Sequence, residues 1–246
     1  MDNLMVRLFD SGWKFCVYSP ENQPHEVHVC SIAEKIVGKP ISRAYGSTMS
    51  AADLNHAISV IDTHIRFLAL PDDATHMANL DDVLQMADEV LDEFGEGKVA
   101  IVIDPWNELD HTRPDKMTET EYISYQLSKW RQFHRSRGTH GFLVAHPAKP
   151  MPMKDGTYPV PDLYAINGSA HWKNKCDNGI VVWRDENQPG SCEIHIKKVK
   201  FKHHGKAGIV RLDYEASTGR YFDPLGYSRN SYANIRSNQF PEDVDG

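Results

Sequence analysis

Three side chains are placed where they could do chemistry together. Glu21 follows the apolar run FCVYS by one proline, Asp104 directly follows VAIVI, and His146 directly follows GFLVA. In an open α/β sheet, ligands bind outside the carboxyl ends of the strands. If these runs are neighbouring parallel strands, two carboxylates and an imidazole converge on that edge. Strands commonly exit into polar loops, so one such residue alone says little, and the weight lies in all three. The aliphatic run leading into Asp104 fits a Walker B strand, whose carboxylate would hold magnesium, mostly through water. Glu21 could then orient an attacking water, as phosphoryl transfer requires.

A competing reading takes DPWNELDH (104–111) as a metal cluster of Asp104, Glu108, Asp110 and His111, which would make a metal-dependent nuclease. It is the weaker one, because residues past a strand end leave the edge in directions the sequence does not fix. The stretch 147–162 holds five prolines and one glycine, so it is neither a helix nor a central strand. Its Lys149 and Lys154 could touch a phosphate backbone or stand in solvent.

The elements that must position these residues alternate in type. Leu4, Met5 and Leu8 read as the tail of a helix ending before Gly12, and 14–19 as a strand. Pro24 opens a helix with Gly38 behind it, and Ser50 with Asp53 caps another. IRFLAL (65–70) is a second strand. An amphipathic helix runs from Leu80 through Phe94 to a stop at Gly95. Thr118 and Glu121 form a capping box, and that helix ends at Gly138. VAIVI, GFLVA and GIVVW (179–183) are near-continuous apolar strands, expected in a parallel sheet covered on both faces. CEIHIKKV and GIVRLDY then predict an antiparallel hairpin closing the sheet edge. The alternation in that hairpin slips near Lys197 and Lys198, which predicts a bulge. Beyond Tyr221 the chain is polar and patternless, so 1–221 is expected to be one α/β domain and 222–246 a tail.

With 40% apolar residues among 246, one sizeable core is affordable. The longest aliphatic runs are far short of the roughly 20 residues a membrane helix needs. No secretory signal pattern opens the chain, and its four cysteines are scattered without CxxC. A reducing, cytoplasmic setting is expected. The net charge of −7 gives no support for general nucleic-acid coating, so any such contact must be local. The stretch 195–206, with five lysines, three histidines and no acid, is such a patch, or else a solvated hairpin face.

Taken in order, YSPENQP, VAIVIDPWNELDH, LVAHP, INGSAHWKNKCDNGIVVWRDE and IHIKKVKFK resemble the RecA-like motor of DnaB-type hexameric replicative helicases. The likeness is greatest to the phage-type and mitochondrial primase–helicases, and it covers about residues 1–221. It implies a P-loop NTPase three-layer sandwich that hydrolyses ATP with Mg2+ and moves 5′→3′ along single-stranded DNA as a homo-oligomeric ring. Primase or polymerase partners, and a bacterial host cytoplasm for a phage protein, are also implied. By resemblance Glu21 matches the catalytic glutamate, Asp104 the Walker B aspartate and His146 the γ-phosphate sensor. The 147–167 loop, with Lys149 and Lys154 and with Asn167, Gly168 and Ser169 at its far end, matches the DNA-gripping loop. Lys198 and Lys200 match the pair that reaches a neighbour's nucleotide.

Two departures matter. The arginine-finger position is Lys200, which keeps the charge but lacks the planar fork that clasps phosphate. The 246 residues also contain no GxxxxGK(S/T), and hence neither the phosphate-cradling amides nor their lysine. Five or six buried residues of the strand before that loop would contribute about 10 kcal/mol, comparable to a domain's whole stability. A truncated gene, a sequence that continues upstream, or a split gene whose partner polypeptide supplies this segment would each account for its absence. A non-catalytic ring or scaffold component with the same fold is the other reading.

Overall fold

The computed structural model describes residues 1–71, 73–149, 151–154, 156, 158–166, 170–185 and 188–224. Four parallel strands form the first sheet: β1 (Trp13–Tyr18), β2 (Ile65–Phe67), β3 (Lys98–Ile103) and β4 (His140–Leu143), in the order β2-β1-β3-β4. Successive side chains in a strand point to opposite faces, and both faces here are apolar. Phe15, Val17, Ala100 and Val102 pack on one side under α1 (Asp2–Phe9), α2 (His25–Val37) and α3 (Ala51–His64), through Met5, Val6, Ile32, Ile36, Val60 and Ile61. Cys16, Tyr18, Ile101 and Ile103 pack on the other under α4 (Leu80–Leu91) and α5 (Glu119–Arg137), through Val83, Leu84, Leu127 and Trp130. This is the three-layer α/β sandwich.

The helix boundaries follow from local chemistry. Ser50 and Asp53 form a reciprocal capping box on α3, as do Thr118 and Glu121 on α5. Asn79 with Asp82 does the same for α4. Gly38 and Gly138 end α2 and α5 in the left-handed conformation, at φ 73 and 67. The amphipathic helix ending at Gly95 divides into α4 and a 3-10 turn, Asp92–Phe94.

A second sheet is antiparallel: β5 (Asn178–Trp183), β6 (Ser191–Val199), β7 (Gly208–Glu215) and β8 (Arg220–Phe222), in chain order. The short helix α6 (His171–Lys175) precedes it. The expected bulge is present: Gly179 pairs with Lys198 and Ile180 with Ile196, leaving Lys197 as the extra residue. Two expectations need correction. GIVVW does not join the parallel sheet, because it pairs antiparallel with β6. It is not fully buried either, since Ile180 and Val182 are 53% and 63% exposed. The hairpin therefore pairs with β5 and does not close the edge of β4. The 65–70 strand is also shorter than expected, ending at Phe67, with one further ladder bond from Leu68 N to Val17 O (2.8 Å).

The two sheets are tied together through side chains. Arg220 of β8 donates to the carbonyls of Lys35 (2.8 Å) and Ile36 (2.9 Å) at the end of α2. On the opposite flank, Arg131 of α5 faces Asp177 at the start of β5, with Nη2 3.9 Å from Oδ1. Among the described residues, β4 pairs only with β3 and β5 only with β6, so each keeps one free edge. The polar tail expected over 222–246 lies almost entirely outside the described residues.

Candidate functional site

The order β1-β3-β4 brings the exits of all three strands to one edge. Backbone bonds extend the ladder beyond the strands: Asp104 N donates to Tyr18 O (3.0 Å), Val144 N to Ile103 O (3.0 Å) and Trp106 N to Val144 O (2.7 Å). Asp104 is thus held between its neighbours with its carboxylate half-buried at the edge. Ser19, buried at the end of β1, donates from Oγ to Asp104 O (3.0 Å) and accepts from Asn22 Nδ2 (2.7 Å). The turn it stabilises, closed by Asn22 N onto Ser19 O at 3.3 Å, carries Glu21 into solvent at the same edge. From the other flank, Asn107 Oδ1 accepts from His146 N (2.7 Å).

Burial pushes the Asp104 carboxyl above its ordinary range, and the nearby Asp2 carboxylate adds to this. The amino terminus, His28 and His146 pull it the other way. Asp104 and His146 are therefore within electrostatic reach of each other, and Glu21 stands on the adjoining strand exit. A half-buried carboxylate whose negative charge is disfavoured suits a hard divalent cation that keeps much of its water. The first turn of α1 lies beside this edge. There Asp2 Oδ1 meets His28 Nε2 at 3.0 Å and Lys35 stands 3.4 Å from Oδ2.

The metal-cluster reading of 104–111 fails on geometry. Glu108 lines a cavity of about 400 Å3 with Tyr18, Ser19 and His76. His111 turns to a separate one of about 410 Å3 with Trp106, Arg113 and Trp172. His111 is held by Trp106 O (2.9 Å), and Asp110 Oδ1 accepts from Thr112 N and Oγ1. Among the described residues, no three His, Cys, Asp or Glu side chains are grouped to hold a metal. The loop after β3 is a turn with capped side chains, and such turns scatter successive directions.

Lys149 and Lys154 are exposed. Asn167, Gly168 and Ser169 lie outside the described residues. The loop that carries the two lysines is closed at its neck by Ala148 N onto Ala165 O (2.7 Å) and a bridge between Pro147 and Ile166. Leu163 is buried against Gly179, where any Cβ would overlap it. Lys198 and Lys200 both have partners within the chain. Lys198 Nζ donates to the carbonyls of Lys173 and Asn174 at the end of α6, and Lys200 Nζ to Asp177 Oδ1 at 2.6 Å. Sequence reasoning missed Ser19, Asn107 and Asp177. Ser19 is the last residue of a run read as strand, whereas nothing local marked the other two.

No family model matches the chain. It is 36% identical over 232 residues to the Twinkle homolog protein, chloroplastic/mitochondrial, of Arabidopsis thaliana, covering 91% of this chain and 32% of that protein. The ATPase domain of G40P superposes with a TM-score of 0.70 at 14% identity, covering 89% of this chain and 77% of that one. A DnaB-like replicative helicase, solved in a study of its interactions with primase, gives 0.69 at 15%, over 87% and 52%. The chain has the RecA-like α/β fold of a DnaB-like replicative helicase. The RadB recombinase, at 0.51 and 11%, shares the wider RecA-like fold. Within this RecA-like fold, Asp104 follows the strand at the centre of the site and His146 the strand beside it. The chain spans about a third of its plant relative. Among the described residues no helix is long and apolar enough to cross a membrane.

Proposed function

We propose that the chain is the C-terminal part of an ATP-dependent replicative DNA helicase motor, working 5′→3′ on single-stranded DNA as a hexameric ring. The observation that carries this reading is the placement of Asp104 and His146 on adjacent strand exits, with Glu21 on the third. Asp104 would hold the magnesium ion through water, and that ion would neutralise charge on the nucleotide phosphates. Glu21, free in solvent and fixed only through its turn, positions the attacking water and takes its proton. His146, held at its backbone by Asn107, donates to the terminal phosphate. Catalysis of this kind is mainly positioning and charge stabilisation.

Lys149 and Lys154, with Asn167, Gly168 and Ser169, contact the DNA backbone in this reading. Lys200 reaches a neighbouring subunit's nucleotide after exchanging Asp177 for phosphate, and Lys198 braces the same hairpin through α6. Primase or polymerase would dock on the assembled ring. The plant relative's name points to organelles, so the cellular setting follows the host genome, whether phage, bacterial or organellar.

The 246 residues alone bind ATP weakly and do not hydrolyse it, because they hold no phosphate cradle. The free edges of β4 and β5 favour an added strand as the carrier of that cradle, since exposed strand edges readily accept a partner. The experiment is to assemble the chain with a segment bearing a strand, GxxxxGK(S/T) and the start of the following helix. DNA-stimulated ATPase and unwinding in the assembly, absent from the chain alone, is the expected result. Robust magnesium-dependent ATPase from the 246 residues alone, abolished by Glu21→Gln, would overturn the role assigned to the missing cradle. An assembly that binds DNA without turnover would point to a non-catalytic ring component.

A further inference from the structure

We propose that the neck of the 147–166 loop carries a base-stacking platform for single-stranded DNA, formed by the Tyr164 ring with the Lys173 ammonium against one face. The inference rests on the helicase reading and adds to it a contact with bases, where Lys149 and Lys154 would contact phosphates. Tyr164 is 56% exposed, although it sits in the best-braced part of the loop. It occupies the middle of a 3-10 turn, Leu163–Ala165, capped by the Asp162 side chain on Leu163 N. Leu163 on one side is buried against Gly179, and Ala165 on the other accepts from Ala148 N at 2.7 Å. The ring therefore projects from a backbone that is already ordered, so holding it for a ligand costs little further entropy.

Lys173, on α6, places Nζ 4.3 Å from the ring centroid and 3.9 Å from Asp162 Oδ1. Its helix is fixed in turn by buried Trp172 and by Lys198 on the carbonyl of Lys173. A cation on one face of an aromatic ring is a favourable pairing in itself. At 56% exposure the Tyr164 ring keeps surface on which a planar partner can stack. Bases stack on such rings with little regard to sequence, which suits a motor that must accept any strand. The lysines exposed on the same loop favour a polyanion over a protein as the occupant.

The test compares binding of labelled oligo-dT with that of an abasic strand of equal length, in the assembly described above. Wild type should prefer oligo-dT by about 5- to 150-fold, the worth of one stacked base. Tyr164→Ala should lose that preference and keep its salt dependence, because no phosphate contact is removed. Tyr164→Phe should keep both. In the unaltered protein, a 5-iodouracil strand should crosslink to Tyr164, which gives a readout that does not depend on a variant folding. A retained preference in Tyr164→Ala, or crosslinks that map elsewhere, would overturn the platform and leave the helicase reading intact. Absence of oligo-dT binding by wild type would overturn both.

Discussion

Replacing Asp2 by Asn removes the one acid of a cluster that ties the first turn of α1 to α2, next to Asp104. His28, only 3% exposed, contacts it at 3.0 Å and Lys35 at 3.4 Å. Burial works to raise the Asp2 carboxyl, but the hydrogen bond and charge of His28, followed by Lys35, outweigh it and hold it at about 2 against an ordinary 3.8. A carboxylate depressed in this way stabilises the fold at pH above its unfolded value, and the contribution is lost as pH falls through the folded one. The interval from 3.8 to about 2 corresponds to about 2.4 kcal/mol at neutral pH. About 1 kcal/mol of it is gone by pH 3. Urea unfolding of wild type and Asp2→Asn across pH 3–7 measures this directly. The gap between them should be about 2 kcal/mol at pH 7 and shrink toward pH 3. A gap that is constant with pH, or under about 0.5 kcal/mol at pH 7, would refute the ion-pair account of this contact.

Gly38→Ala should cost at least about 2 kcal/mol, combining a left-handed backbone with displacement of the Arg220 guanidinium that a Cβ would overlap. Gly138→Ala, equally left-handed but facing open space, should cost only about 1 kcal/mol in the same denaturation assay. Burial pushes the Cys16 thiol up to about 12, so timed alkylation at pH 8 should leave Cys16 unmodified while partly exposed Cys30 reacts. Removing both Lys149 and Lys154 should weaken single-stranded DNA binding and reduce its salt slope by about one to two. Unchanged affinity and slope would remove this loop from the DNA path.

Much of this fold was legible because its signals are local. The capping boxes at Ser50 and Thr118 and the left-handed glycines at 38 and 138 are properties of a few adjacent residues. The slip at Lys197 showed because a period of two leaves no room for an extra residue. GIVVW misled because five apolar residues in a row suit a buried parallel strand and a half-exposed antiparallel one equally. The strand exits at Asp104 and His146 were readable from the apolar runs before them. Asn107 under His146 and Asp177 under Lys200 were not, since the partners lie 39 and 23 positions apart and only packing brings them together. Tyr164 and Lys173 belong to the same class, nine positions apart on two elements that only packing brings together. In the 104–111 segment the residue types suggested a metal cluster, but side-chain caps turned the donors apart.

The central claim is that one edge of the parallel sheet, through Glu21, Asp104 and His146, runs nucleotide hydrolysis. Single-turnover ATP hydrolysis by the assembled motor, compared with its Glu21→Gln form, tests it most directly. Loss of a general base should slow the chemical step by about 10²- to 10⁴-fold, with nucleotide affinity unchanged, because the proposed role gives Glu21 contact with the attacking water and none with phosphate. A Glu21→Gln protein that cleaves ATP at the wild-type rate would contradict the account.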